Sequence, residues 1–366
     1  MTQPDASHGE ASSESFDARS ETGSFVGSSL DKRRTAIGAV ITVAVLLIIF
    51  VGVIPKFGSY SVAFESIKAM SPAWMLALTT AVVVMIFVFV LPYQAAIPRL
   101  AYWPAFVIRQ TGFTISNAVP AGGAIGLALQ YAMLSSYGVP GAVATSGIAI
   151  TSVWSVFITL VLPILGVFAA LTTGTVQVAW VIAGIIGVVV IAAVVFVFWL
   201  VLRSEASAHA VGRGAARVLA PATRRMSHPP DIDRSILSFR TEIVDVVRAR
   251  WPWISASNLL VSGTQFAVLY VSVRAVGDDG ASGLTVFACF AAFSISRLAS
   301  MIPVTPGGLG TVDAALIGLL ITFGLDQSTA LAGALVWRCA TFIPQVLLGI
   351  GTFVWWRARQ ARIGGI

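Results

Sequence analysis

Long apolar stretches alternate with short polar breaks along this chain. Uninterrupted apolar runs occupy roughly residues 36–54, 74–91, 142–170, 178–202, 253–276 and 330–356. Each is close to or above the ~20 residues a helix needs to cross a bilayer, so six spanning helices are predicted. Two further regions, 103–136 and 284–323, are long enough for two crossings apiece but are broken near their middles. The first break reads Asn117-Ala-Val-Pro-Ala-Gly-Gly-Ala-Ile-Gly126. The second reads Met301-Ile-Pro-Val-Thr-Pro-Gly-Gly-Leu-Gly-Thr-Val-Asp313.

In hydrocarbon every backbone N–H and C=O needs a partner, so a Pro/Gly-broken segment survives at membrane depth only where protein surrounds it or it lines a cavity. Each broken region is therefore either a pair of full crossings or a re-entrant hairpin. Positions 118–126 and 302–310 carry no charge, which favours hairpins, since a turn emerging into water usually carries polar or charged groups. Set side by side, Phe106-Val-Ile-Arg109 precedes Pro120-Ala-Gly-Gly, and Phe293-Ser-Ile-Ser-Arg297 precedes Pro306-Gly-Gly. The two regions are entered from opposite sides, which is the pattern of an inverted-topology repeat with its site at the repeat interface. The predicted fold is an all-α polytopic membrane protein, a helical bundle holding two re-entrant helix hairpins.

Composition agrees with this pattern. Hydrophobic residues make up 57% of the chain and charged residues 11%, against about 25% charged in soluble domains, and the mean hydropathy is +0.88. The basic residues orient the chain. Lys32-Arg33-Arg34 precede the first span, nine arginines lie between Arg203 and Arg250, and Arg357, Arg359 and Arg362 follow the last. The positive-inside rule then puts both termini and the central loop in the cytoplasm of a multi-pass cell-membrane protein. The expected organisation is a disordered cytoplasmic tail (1–35), an N-terminal membrane half (36–202), a basic cytoplasmic loop (203–251), a C-terminal membrane half (252–356) and a short cytoplasmic tail (357–366). Within the loop, 235–250 reads either as an interfacial amphipathic helix or as a solvated segment whose charge fixes topology.

The chemistry sits at the breaks. Asp313 is the sole acid inside the apolar segments, placed where a helix should restart after Gly310. There it can cap the helix or pair with a buried base. Arg297 and Arg338 lie well inside their segments, with Arg109 nearer a membrane face. A buried arginine costs at least ~2.5 kcal/mol on insertion scales and so faces a partner or a cavity. Two roles fit: an ion-pair network that fixes packing, or recognition of phosphate by the planar guanidinium fork. Gly122, Gly123, Gly307 and Gly308 would let a ligand approach the backbone, beside Pro120 and Pro306. The three histidines all fall outside the spans, and the two cysteines lie far apart in apolar sequence. A metal site and a cofactor are not expected, nor is a nucleic-acid partner. No Gly-x-x-x-x-Gly-Lys-Ser/Thr element is present, which argues against ATP as an energy source.

Pro306-Gly-Gly-Leu-Gly-Thr-Val-Asp313, followed by Gly324-Leu-Asp, Ala330-Leu and Arg338, resembles the signature of the flippase-like transmembrane region of lysylphosphatidylglycerol synthases. In that family the motif ends in Glu, so Asp313 keeps the carboxylate on a shorter side chain. Pro120-Ala-Gly-Gly-Ala-Ile-Gly126 resembles the family's first motif, with the acid and arginine often found beyond the glycines replaced by residues such as Ala128 and Gln130. The resemblance spans about residues 36–356 and implies lipid translocation. Because the sequence ends at Ile366, the expectation is a free-standing relative without the soluble aminoacyl-transfer domain.

The expected function is a lipid flippase or transporter, not an enzyme, moving an anionic phospholipid or isoprenoid-phosphate carrier between leaflets. Its substrate-binding residues would be Arg109, Pro120, Gly122, Gly123, Arg297, Pro306, Gly307, Gly308, Gly310, Asp313 and Arg338. A partner enzyme of lipid or cell-envelope synthesis would fit this role. The alternatives are a membrane-embedded lipid-modifying enzyme, weakened by the single intramembrane carboxylate, and a non-transporting lipid-sensing subunit.

Overall fold

A computed structural model describes residues 68–118, 122–171, 232–277, 284–301, 308 and 310–363, with isolated positions in 61–65 and 185–214. The predicted first span, both tails and most of the span at 178–202 lie outside the described residues. Every regular element among the described residues is helical. In chain order these are α1 (Pro72–Val88), α2 (Leu91–Ala96), α3 (Tyr102–Ala118), α4 (Gly122–Ser136), α5 (Gly141–Leu171), α6 (Ile232–Gly277), α7 (Val286–Ser296), α8 (Thr311–Thr322) and α9 (Gln327–Ile363), with a 3₁₀ turn at Arg297–Met301 after α7.

Among the described residues four stretches are long and apolar enough to cross a membrane: Pro72–Ala96, Gly141–Leu171, Val246–Gly277 and Gln327–Arg362. They match the predicted spans at 74–91, 142–170, 253–276 and 330–356, and the protein is an all-α multi-pass membrane protein. Helix α1 starts at the Ser71 cap with Pro72 in its first turn, where a missing N–H costs nothing. At its far end the chain continues through α2, which stops at the Pro98-Arg99 turn. Helix α6 has 46 residues, about 69 Å of helix, so the end of the basic loop is helical and runs unbroken into the span. Its Val247 is buried against Ala95, Ala96 and Ile254, and Arg250 donates to the carbonyls of Gln94 and Ala95 at 3.3 and 3.2 Å, closing the C-terminal end of α2.

Both broken regions are helix–break–helix units. The arms of the first, α3 and α4, pack on each other, and so do α7 and α8 of the second. Helix α8 has only 12 residues, about 18 Å against a hydrocarbon core of ~30 Å. The units are exchanged in space: α3 lies along α9, which follows the second unit, while α7 lies along α5, which follows the first. A glycine permits each close approach. A Cβ on Gly349 of α9 would run into Thr114 and the Gln110 carbonyl of α3, and one on Gly166 of α5 would run into Ser294 of α7. Small residues at such crossings are what van der Waals packing between membrane helices requires.

One core joins these nine helices of the described residues. Met85, Tyr93, Ile108, Met133, Ile148, Leu269, Phe293, Leu316 and Leu331 contribute from α1 through α9 in order. The outer faces carry exposed apolar side chains such as Phe87, Phe168, Leu347 and Val354, as expected where lipid replaces water. Trp103 at the start of α3 and Trp251 and Trp253 near the start of the apolar part of α6 are exposed, as indole rings that anchor a protein at the headgroup level would be.

Candidate functional site

The break before α8 is built by glycine geometry. Gly308 and Gly310 have φ of +65° and +83°, a region open to glycine at little cost and strained for other residues. Helix α8 restarts at Thr311, which places Asp313 at its third position. The Asp313 carboxylate, 4% exposed, turns back to accept from the Gly310 N–H at 2.7 Å and satisfies a donor the helix leaves open. Its other oxygen accepts from Arg338 Nε at 2.6 Å. Capping and ion pairing are therefore combined in one side chain. The Gly310 N–H is committed to Asp313 and is not offered to a ligand.

Arg338 lines a smaller cavity of about 170 Å³ between α3, α6 and α9, together with Phe113, Asn117, Trp337, Thr341 and Gln345. Arg297 lines this cavity and also a larger one of about 530 Å³. It stands at the turn from α7 into the 3₁₀ segment, and its Nη1 donates to Gln265 Oε1 of α6 at 2.7 Å. Gln265 likewise lines both cavities and fixes the guanidinium between them.

Arg109 also lines the larger cavity. It rises from the middle of α3, and its guanidinium lies over the rings of Phe89 and Tyr93, 4.2 and 4.8 Å from their centroids. Aromatic faces offset part of the charge but supply no anion. Among the described residues neither Arg109 nor Arg297 has a carboxylate partner, and the Nε of each is buried without a hydrogen-bond acceptor. Arg338 Nη2 is likewise without a partner.

Neutral polar side chains complete the larger cavity. Thr151, Ser152, Ser155 and Thr159 come from α5, Asn258, Ser262 and Gln265 from α6, and Gln130 from α4. Several hydroxyls donate to their own helix: Ser152 to the Ile148 carbonyl at 2.8 Å, Thr159 to that of Ser155 at 2.8 Å and Ser262 to that of Asn258 at 3.1 Å. Their oxygen lone pairs remain available to the cavity. Tyr93 donates its hydroxyl to Gln130 Oε1, fixing that amide at the rim of the first hairpin.

The expected site residues separate into groups. Arg109 and Arg297 share one cavity, and Arg338 sits in the next, paired with Asp313. Gly123 lines the larger cavity, with open space where a Cβ would be. Gly122 does not line it: its missing side chain lets α4 approach the Ile115 carbonyl of α3. Gly308 is buried against Val312 and Ser300, so its role is backbone conformation, and Gly310 serves the Asp313 cap. Pro120, Pro306 and Gly307 lie outside the described residues. Sequence reading missed the neutral polar lining. Its signal was present, because Thr151, Ser155 and Thr159 recur every four residues, with Ser152 beside them, in a mostly apolar span, and Asn258, Ser262 and Gln265 follow at i, i+4 and i+7.

The family described as the lysylphosphatidylglycerol synthase TM region matches residues 35–349. No curated protein matches the chain.

Proposed function

We propose that this protein, which belongs to the lysylphosphatidylglycerol synthase TM region family, is a lipid translocator that carries an anionic lipid headgroup between leaflets without ATP. The observation that carries this reading is the larger cavity. It sits among spanning helices and presents two partly buried arginines, one from each broken hairpin, each with a buried Nε that lacks an acceptor and, among the described residues, no carboxylate to neutralise it. Buried arginine at membrane depth marks a substrate path when it lacks an internal partner, and a phosphate would supply the missing charge and the acceptors for both Nε groups.

The exchanged packing of the hairpins supports an inverted repeat, with α3 against α9 and α7 against α5. Two halves related in this way can open the shared site to one side and then the other. On this reading the hairpins are re-entrant, and both termini and the basic loop face the cytoplasm of the cell membrane. The commitment of Asp313 to Gly310 and Arg338 supports transport over catalysis, because the carboxylate has no free position from which to exchange a proton with substrate.

The test is translocation of acyl-chain-labelled phosphatidylglycerol in proteoliposomes, followed by dithionite quenching of the outer leaflet. Protein-dependent movement that is lost in Arg297→Gln supports the reading. Movement no faster than in protein-free vesicles overturns it.

A further inference from the structure

The lining of the larger cavity is one-sided in charge. It contains Arg109 and Arg297 and no acid among the described residues. The sequence extends this to the rest of the membrane portion: the breaks at 119–121 and 302–309 and the spans at 36–54 and 178–202 contain no Asp or Glu. The single intramembrane carboxylate, Asp313, is turned away into its pair with Arg338. Among these residues no acid is therefore placed to neutralise the ammonium groups of a cationic headgroup bound beside the two arginines.

The neutral part of the lining has its own polarity. Ser152, Thr159 and Ser262 donate their protons to helix carbonyls and so present acceptors. A phosphate ester is recognised by donors, which the arginines provide, and hydroxyl groups are recognised by acceptors, which the α5 and α6 side chains provide. A volume of about 530 Å³ lies within the ~300–1,000 Å³ usual for small-molecule sites, so there is room for a headgroup larger than phosphate alone.

From this lining we infer that the cargo headgroup is an anionic phosphate ester bearing neutral hydroxyls, of the polyol or sugar type, and that an aminoacylated, cationic headgroup is rejected. The inference rests on the transport reading and narrows it. The chain thereby departs from the lipid in the family's name, whose lysyl group adds two ammonium charges to the phosphate. Rejection comes from like charge placed beside two uncompensated arginines. Preference for hydroxyls comes from acceptors that would otherwise face an apolar or missing group.

The experiment compares three acyl-labelled lipids in the same proteoliposomes: phosphatidylglycerol, phosphatidic acid and lysylphosphatidylglycerol. The expected order is phosphatidylglycerol fastest, phosphatidic acid slower and lysylphosphatidylglycerol about tenfold slower or worse, the scale set by like-charge contacts in a buried site. If lysylphosphatidylglycerol moves as fast as phosphatidylglycerol, the selectivity inference falls while the transport reading stands. If no lipid moves, the transport reading falls. Selectivity is then decided by binding of dioctanoyl forms of the same lipids to detergent-solubilised protein, where equal affinity for the lysyl lipid overturns it. Asn258→Asp supplies an independent check, because a carboxylate in the lining should raise relative affinity for the lysyl lipid at least severalfold. An unchanged preference in a folded Asn258→Asp protein counts against the charge argument.

Discussion

Asp313→Asn isolates the charge of the central ion pair from its geometry. The asparagine carbonyl can still accept from the Gly310 N–H, so the α8 cap is retained, while the attraction to Arg338 is lost. With side-chain exposures of 6% for Asp313 and 16% for Arg338, the pair is shielded from water on both sides. For charge centres ~4 Å apart at an effective dielectric of ~20, the Coulomb attraction is about 4 kcal/mol. Removing one partner of such a pair costs about 3–5 kcal/mol, mostly because the other is left buried and uncompensated. Arg338 already has one unpartnered nitrogen, so its exposure to this cost is direct. Arg338→Gln should destabilise by a similar amount, but Asp313→Asn combined with Arg338→Gln should cost much less than the sum, with a coupling of about 2–3 kcal/mol. Unfolding titrated with SDS in mixed micelles measures all three variants. Additivity within ~0.5 kcal/mol would show that the 2.6 Å contact contributes no net coupling and refute the reasoning.

Three further outcomes are expected. Gly122→Ala should lower thermal stability in detergent, because its Cβ meets the Ile115 carbonyl, whereas Gly123→Ala, with open space at the same point of the next residue, should leave stability unchanged and is read by the same melting assay. Gly308→Ala should cost about 1–2 kcal/mol for a left-handed conformation plus a contact 2.8 Å from Val312 Cγ2, read by the same melting assay, and an unchanged melting temperature would count against this conformation at the start of α8. Arg250→Gln should loosen the end of α2 by about 1 kcal/mol and raise hydrogen exchange at residues 94–100 without altering exchange in α8; unchanged exchange at both places would remove the capping role.

Much of the architecture was legible in the sequence because crossing a bilayer is decided by local composition. Runs of apolar residues at 74–91, 142–170, 253–276 and 330–356 had no stable alternative to helix in lipid, and the structure places a helix over each, the third beginning well before the apolar run, at Ile232. The restart of α8 after Gly310 and the singular position of Asp313 were equally local, since they follow from glycine's backbone freedom and from counting acids. The partner of Asp313 was not legible. Arg297 and Arg338 lie 16 and 25 positions away in sequence, and which of them reaches the carboxylate depends on the rotation of α9 against α8. Only the packing of helices from both halves brought Arg109 and Arg297 into one cavity, divided Gly122 from Gly123, and turned the hydroxyls of α5 toward the amides of α6. A hydrophobic pattern specifies that a helix crosses the membrane but leaves its azimuth nearly free; close contacts such as Gly166 with Ser294 and Gly349 with Thr114 fix that azimuth, and the site with it.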